Sequence, residues 1–169
     1  MTTSTISHNH GKASVPLSRL HILLVEDNTL NAKLVSVLFA QEGIGLTLAK
    51  NGQEAIEKIK MGTYDLVLMD MEMPVMNGYQ ATNIIRQELH NNIPIIAMTA
   101  NQQAGEMKKC LQLGMNEYMV KPIDAAVLFE TMHNLLYRHL PVPVKPVIAK
   151  LPVYRLNTEK VCNMGYLTG

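Results

Sequence analysis

Cysteine is almost missing from this 169-residue chain, with Cys110 and Cys162 the only two. Two thiols so far apart in sequence make neither a disulfide framework nor a zinc site, and they suit a reducing interior. An excess of charge of one sign is also lacking. Fifteen Lys and Arg against fourteen Asp and Glu leave a formal net charge of +1. There is no basic stripe to neutralise a phosphate backbone, so nucleic acid is not implied. No uninterrupted apolar run approaches the roughly 20 residues needed to cross a bilayer. The opening residues 1–18, rich in Ser, Thr and His, lack the apolar stretch of a secretory signal and read as a disordered lead-in. His8 and His10 within it read as tail residues rather than metal ligands. Together these absences favour a cytoplasmic protein.

What is present is a regular alternation. At 47% hydrophobic, the chain is long enough for one well-buried core. Short apolar runs at 21–25, 45–49, 64–70, 93–98 and 116–120 read as strands, and stretches with helical periodicity separate them. The first, third and fourth runs are nearly solid Ile, Leu, Val and Met, as expected of central strands covered on both faces. Leu30, Leu34 and Leu38 recur every four residues, Ala55, Ile56 and Ile59 share a face, and so do Val127, Leu128, Leu135 and Leu136, which predicts helices packed on the sheet. Asn51-Gly52 and Asn77-Gly78 punctuate turns ahead of helices, and Pro94 opens a strand where its missing N–H costs least. Strict alternation of this kind predicts an α/β fold with a doubly wound, five-stranded parallel sheet over residues 19–139. Beyond it, Pro141, Pro143, Pro146 and Pro152 make 140–169 a Pro-rich linker or tail, with room for the start of a further domain.

Charged residues close several of the runs. Glu26 and Asp27 follow the first, Asp70 ends the third and Lys121 follows the fifth. If the runs are neighbouring parallel strands, these groups meet at one sheet edge, where like charges repel by roughly 1 to 4 kcal/mol per pair unless a cation compensates them. Asp27 and Asp70 are hard oxygen donors of the sort magnesium accepts while keeping several waters. A carboxylate such as Asp70 can serve as a nucleophile toward phosphorus, with the Lys121 ammonium offsetting charge on the transferred group. Thr99 closes the fourth run and offers a hydroxyl to a phosphoryl oxygen. Singly, each has an ordinary reading: helix cap, loop hydroxyl, surface charge or, for Tyr118, a half-buried strand aromatic. Their joint occurrence at the same end of successive strands favours a chemical site.

With these residues in view, the sequence resembles the receiver domain of two-component response regulators, most closely receivers of hybrid histidine kinases, over residues 21–137. The motifs are Leu24-Val25-Glu26-Asp27-Asn28, Asp70-Met71-Glu72-Met73-Pro74-Val75-Met76-Asn77-Gly78, Met98-Thr99-Ala100 and Tyr118-Met119-Val120-Lys121-Pro122. The resemblance implies a flavodoxin-like sheet in strand order 2-1-3-4-5 and a phosphorelay switch that is not a turnover enzyme. It implies that Asp70 accepts the phosphoryl group, that Glu26, Asp27, Asp70 and the Glu72 carbonyl hold Mg2+, and that Thr99 and Lys121 contact the phosphate. Thr99 and Tyr118 match the switch pair, Glu72 and Asn101 the two positions that influence phosphoryl loss, and the bond before Pro122 is expected to be cis. A histidine kinase or histidine-phosphotransfer protein is the implied partner, and a homodimer is compatible with it. Residues 154–169 resemble the start of a histidine-phosphotransfer domain.

Two rivals have distinct signatures. A haloacid-dehalogenase-type phosphatase would carry its nucleophile on the first strand with a second Asp two residues on, whereas here the third strand carries Asp70 and Glu72 stands at the second position. A receiver-shaped module that is never phosphorylated would not need every chemical position filled, and here each one is.

Overall fold

The computed structural model describes residues 17–101 and 103–137. The expectations for 1–16 and 138–169, including the His pair, the Pro-rich stretch and the segment 154–169, lie outside the described residues. Five strands, β1 (His21–Val25), β2 (Gly45–Ala49), β3 (Leu66–Asp70), β4 (Ile95–Thr99) and β5 (Glu117–Val120), alternate with α1 (Thr29–Gln41), α2 (Gly52–Met61), α3 (Gly78–Asn83), α4 (Ala104–Gln112) and α5 (Ala125–Leu136). All strand pairs are parallel and the order is β2-β1-β3-β4-β5. This is the expected sheet, with the three most apolar strands at its centre.

Successive side chains of a strand point to opposite faces, and the core divides accordingly. Leu23, Val25, Val67, Met69, Ile95 and Ala97 pack with α2, α3 and α4. Ile22, Leu24, Leu66, Leu68, Ile96 and Met98 pack with α1 and α5. Asn28, Asn51, Asn77 and Asp124 cap α1, α2, α3 and α5 through their side-chain oxygens, which satisfies amides that have no partner within the helix.

Some boundaries and faces differ from expectation. Leu17 and Ser18, placed in the lead-in, belong to a 3-10 turn (Leu17–Arg19), and Leu17 packs on the core. β3 begins at Leu66, two residues later than expected; just before it the Asp65 carboxylate accepts the His21 amide at 2.7 Å, Asp65 N–H donates to His21 O at 2.9 Å, and the Tyr64 ring lies 4.9 Å from that of His21. Pro94 stands just before β4, its carbonyl accepting Val67 N–H at 2.8 Å.

Of the stripe expected on α1, only Leu38 packs against the core, and it is half-buried there. Leu30 and Leu34 are exposed, and the sheet-facing residues are Ala32, Val35 and Phe39. At 3.6 residues per turn a four-residue spacing drifts by roughly 40° per step, while Ala32, Val35 and Phe39 sit roughly 200°, 140° and 180° around the axis from Leu30. On α5 the buried face is Leu128 and Met132, with Leu135 and Leu136 partly buried, and Val127 is exposed. α3 continues into a π-helical turn, Ile84–Glu88. From that turn Arg86 donates to the carbonyls of Gly114, Asn91 and Ile93 at 2.9, 2.7 and 2.7 Å. It thereby joins the segments that lead into β4 and β5.

Phe39 is fully buried between α1 and the sheet, with its ring centroid 6.0 Å from that of Phe129. Phe39→Ala is expected to lower unfolding free energy by about 3 to 5 kcal/mol, measured by urea titration followed by circular dichroism.

Candidate functional site

The carboxyl ends of β1 and β3 meet where the strand order reverses, the place at which doubly wound sheets bind ligands. The ladders carry the chain into the site: Glu26 N–H donates to Ala49 O at 3.0 Å, Met71 N–H to Met98 O at 3.0 Å, and Lys121 N–H to Thr99 O at 2.8 Å. Glu26, Asp70 and Thr99 are buried there at 4%, 4% and 3% exposure, and Asp27 faces solvent. One carboxylate oxygen from each of Glu26, Asp27 and Asp70 can be chosen so that all three lie within 4.8 Å of one another.

Lys121 closes the cluster. Its Nζ stands 2.7 Å from Glu26 Oε2 and 2.7 Å from Asp70 Oδ2. The other oxygen of each carboxylate is also held. Asp70 Oδ1 accepts Glu72 N–H at 3.1 Å, and Glu26 Oε1 accepts Asn28 N–H at 3.3 Å and Asn31 Nδ2 at 3.1 Å. Burial is the main influence on the Asp70 carboxyl and pushes its pKa above the ordinary 3.8; the Glu26 charge adds to this, while Lys121 and the Glu72 amide oppose it. For Lys121 burial disfavours the charge, but hydrogen bonds and attraction from Asp70 and Glu26 outweigh it and hold the ammonium above its usual 10.5.

With all four groups ionised, three carboxylates and one ammonium leave a net charge of −2. Hard oxygen donors with that residual charge fit a divalent cation of the magnesium type. The backbone is shaped around the cluster as well. A Cβ built on Gly78 would fall 2.4 Å from the Asp70 carbonyl oxygen, so only glycine lets α3 start this close to the end of β3. Between them, Met76 N–H donates to Pro74 O at 2.8 Å around Val75, whose φ is 67°. This is a γ-turn of the rare, strained kind, and Val75 is 84% exposed.

The fold thus brings Glu26, Asp27, Asp70 and Lys121 together. Glu72 meets Asp70 through its amide. The Thr99 hydroxyl accepts Asn101 N–H at 3.0 Å, and Asn101 Oδ1 in turn accepts Gln103 N–H at 3.0 Å. Tyr118 is half-buried on β5 and packs on the side of the sheet that carries α4. The bond between Lys121 and Pro122 is cis, as expected. Sequence reasoning missed Asn31. The signal was its position three residues past the Asn28 cap, where a first-turn side chain can reach back over the β1–α1 turn.

A family model described as the response regulator receiver domain matches residues 22–133, and the chain belongs to that family. It is a receiver domain of the two-component phosphorelay type, a class of phosphoryl-accepting switches not generally counted as enzymes. It is 39% identical over 131 residues to hybrid signal transduction histidine kinase B of Dictyostelium discoideum, a match covering 70% of this chain and 6% of that protein. The chain therefore spans only a small part of that kinase's length. Among solved structures it resembles the receiver domain of sensor histidine kinase PA1611 from Pseudomonas aeruginosa, which carries a magnesium ion in its active-site cleft. The identity is 40% and the TM-score 0.64, with 69% of this chain and 97% of that one covered. It also resembles the Saccharomyces cerevisiae complex of the phosphotransfer protein Ypd1 with the Ssk1 receiver, at 29% identity and TM-score 0.67, covering 72% and 92%.

The burial cost at Asp70 has a measurable consequence. Because the folded state holds this proton more tightly than the unfolded state, the contribution is full below pH 3.8 and is lost as pH rises through the folded pKa. In metal-free buffer Asp70→Asn is expected to melt close to wild type in acid and above it at neutral pH. Added Mg2+ is expected to narrow the neutral gap by stabilising wild type, with its full carboxylate set, more than the variant. Thermal melts across pH, with and without Mg2+, test this.

Proposed function

We propose that this domain is a phosphorylation-driven switch whose phosphoacceptor is Asp70. The arrangement that carries the reading is the Lys121 ammonium seated 2.7 Å from both Asp70 and Glu26, at the end of the sheet where Asp27 faces solvent. Glu26, Asp27, Asp70 and the Glu72 carbonyl are the groups that would hold Mg2+. When bound, that ion supplies positive charge against which phosphoryl oxygens can be placed. An Asp70 carboxylate oxygen attacks the phosphorus of a phosphohistidine on a kinase or phosphotransfer protein. The new O–P bond forms as the N–P bond breaks, and the imidazole nitrogen keeps the electron pair. Lys121 offsets the charge gathering on the phosphoryl oxygens.

The acyl phosphate adds charge and acceptor oxygens at the Asp70 site. Thr99 then exchanges its bond with the Asn101 amide for one to a phosphoryl oxygen, and Tyr118 turns into the space it leaves. The surface formed by α4, β5 and α5 changes, and a partner that prefers the new surface shifts the population. A phosphohistidine donor, a cytoplasmic setting and a protein target, without nucleic acid or membrane insertion, complete the proposal.

Incubation with acetyl phosphate and Mg2+ is expected to add a single phosphoryl group by intact mass, and Asp70→Asn to abolish it. Absence of any adduct on wild type would favour the inert module, and many turnovers of a small phosphate ester would favour the phosphatase. Thr99→Ala should still take up the phosphoryl group while losing the accompanying NMR shifts on β5 and α5. Wild-type-like shifts in the phosphorylated variant would refute the coupling through Thr99.

A further inference from the structure

The two carboxylates that grip Lys121 are built alike, with one oxygen on the ammonium and the other on N–H donors. For Asp70 the second oxygen is held by the Glu72 backbone amide at 3.1 Å. For Glu26 the backbone contact, from Asn28, is the longer one at 3.3 Å, and the Asn31 carboxamide supplies a second donor at 3.1 Å. Asn31 is thus the one side chain besides Lys121 that fixes the Glu26 carboxylate among the described residues. It projects from the first turn of α1, which is itself anchored by the Asn28 cap and by Ala32, Val35 and Phe39 in the core.

Packing does not fix the lysine by itself. A cavity of about 40 Å³ lies between α1 and the segment after β5, lined by Asn31, Leu34, Val35, Lys121, Pro122 and Ile123. Lys121 lines that cavity and is therefore not closely packed on every side, and its stem carries several rotatable bonds. What keeps the ammonium over Asp70 is the pair of carboxylates, and one of them has a torsion that Asn31 holds.

We infer that Asn31 is a positioning residue for phosphoryl uptake, orienting Glu26 by its carboxamide so that Glu26 in turn seats Lys121 against Asp70. For its kinetic arm the inference rests on the function proposed above; its structural arm does not. A merely structural Asn31, tying the β1–α1 turn, would alter melting temperature without a specific dependence on Lys121.

Two measurements decide between them. In 15N-labelled protein at low temperature, the Lys121 ammonium signal, assigned by its loss in Lys121→Ala, is expected to persist in wild type and Asn31→Gln and to vanish in Asn31→Ala and Asn31→Asp. Persistence in both of the latter, with the backbone spectrum otherwise intact, overturns the inference whether or not the protein is phosphorylated. With phosphoramidate as donor at saturating Mg2+, Asn31→Ala is expected to slow phosphorylation about tenfold, the scale of one hydrogen bond to a charged group. In a Lys121→Ala background the same substitution should change the rate less than twofold. Equal losses in both backgrounds would mean that the two residues act independently, which also overturns it. If wild type takes up no phosphoryl group, the proposed function fails, and the ammonium signal still decides the role of Asn31.

Discussion

Two buried carboxylates sharing one ammonium is the constraint around which this molecule is arranged. A charge removed from water is costly unless it is paired and hydrogen-bonded, and every oxygen of Glu26 and Asp70 has a partner: Lys121, the amides of Asn28 and Glu72, and the Asn31 side chain. Those donors come from the turn between β1 and α1, the first turn of α1, the turn after β3 and the residue that follows β5. They coincide only when the sheet is in the order β2-β1-β3-β4-β5, so the pairing depends on long-range topology rather than on any local element.

The ammonium and a divalent cation answer the same electrostatic need in different ways. Lys121 is covalently tied and compensates part of the charge in the bare protein; the remaining deficit falls on the solvent side, where Asp27 is exposed. Under the proposed function, that residual charge is what a divalent cation would answer. Burial also leaves Asp70 less comfortable as an anion than an ordinary surface carboxylate, a perturbation of the kind that clusters at functional sites.

Much of this was legible in the chain. Central strands announce themselves when both faces are apolar, and β1, β3 and β4 did so; the charged residues that end or follow the runs then located the site. Less legible was which face a helix buries. The four-residue recurrence of Leu30 and Leu34 suggests a core face, yet the angular position of Phe39, Val35 and Ala32 decides the matter. The role of Asn31 was hidden because it depends on a side chain reaching back five residues to Glu26. Nothing in the sequence singles out Arg86, because its three carbonyl partners belong to loops that become neighbours only after folding. Tyr64 and Asp65 likewise extended an apolar run in the sequence but serve His21 in three dimensions.

The Arg86 clasp lies at the end of the sheet opposite the acidic cluster. Its guanidinium fastens the entries to β4 and β5 to the turn after α3, and Asn116 adds to this by accepting the Ile95 amide at 2.9 Å. The two ends of the sheet are thus held by different means, a guanidinium on backbone carbonyls at one and ladder hydrogen bonds with the carboxylate–ammonium pairing at the other. None of the three carbonyls that Arg86 gathers belongs to the acidic cluster, so the entries to β4 and β5 are tied together independently of the charge at the other end of the sheet.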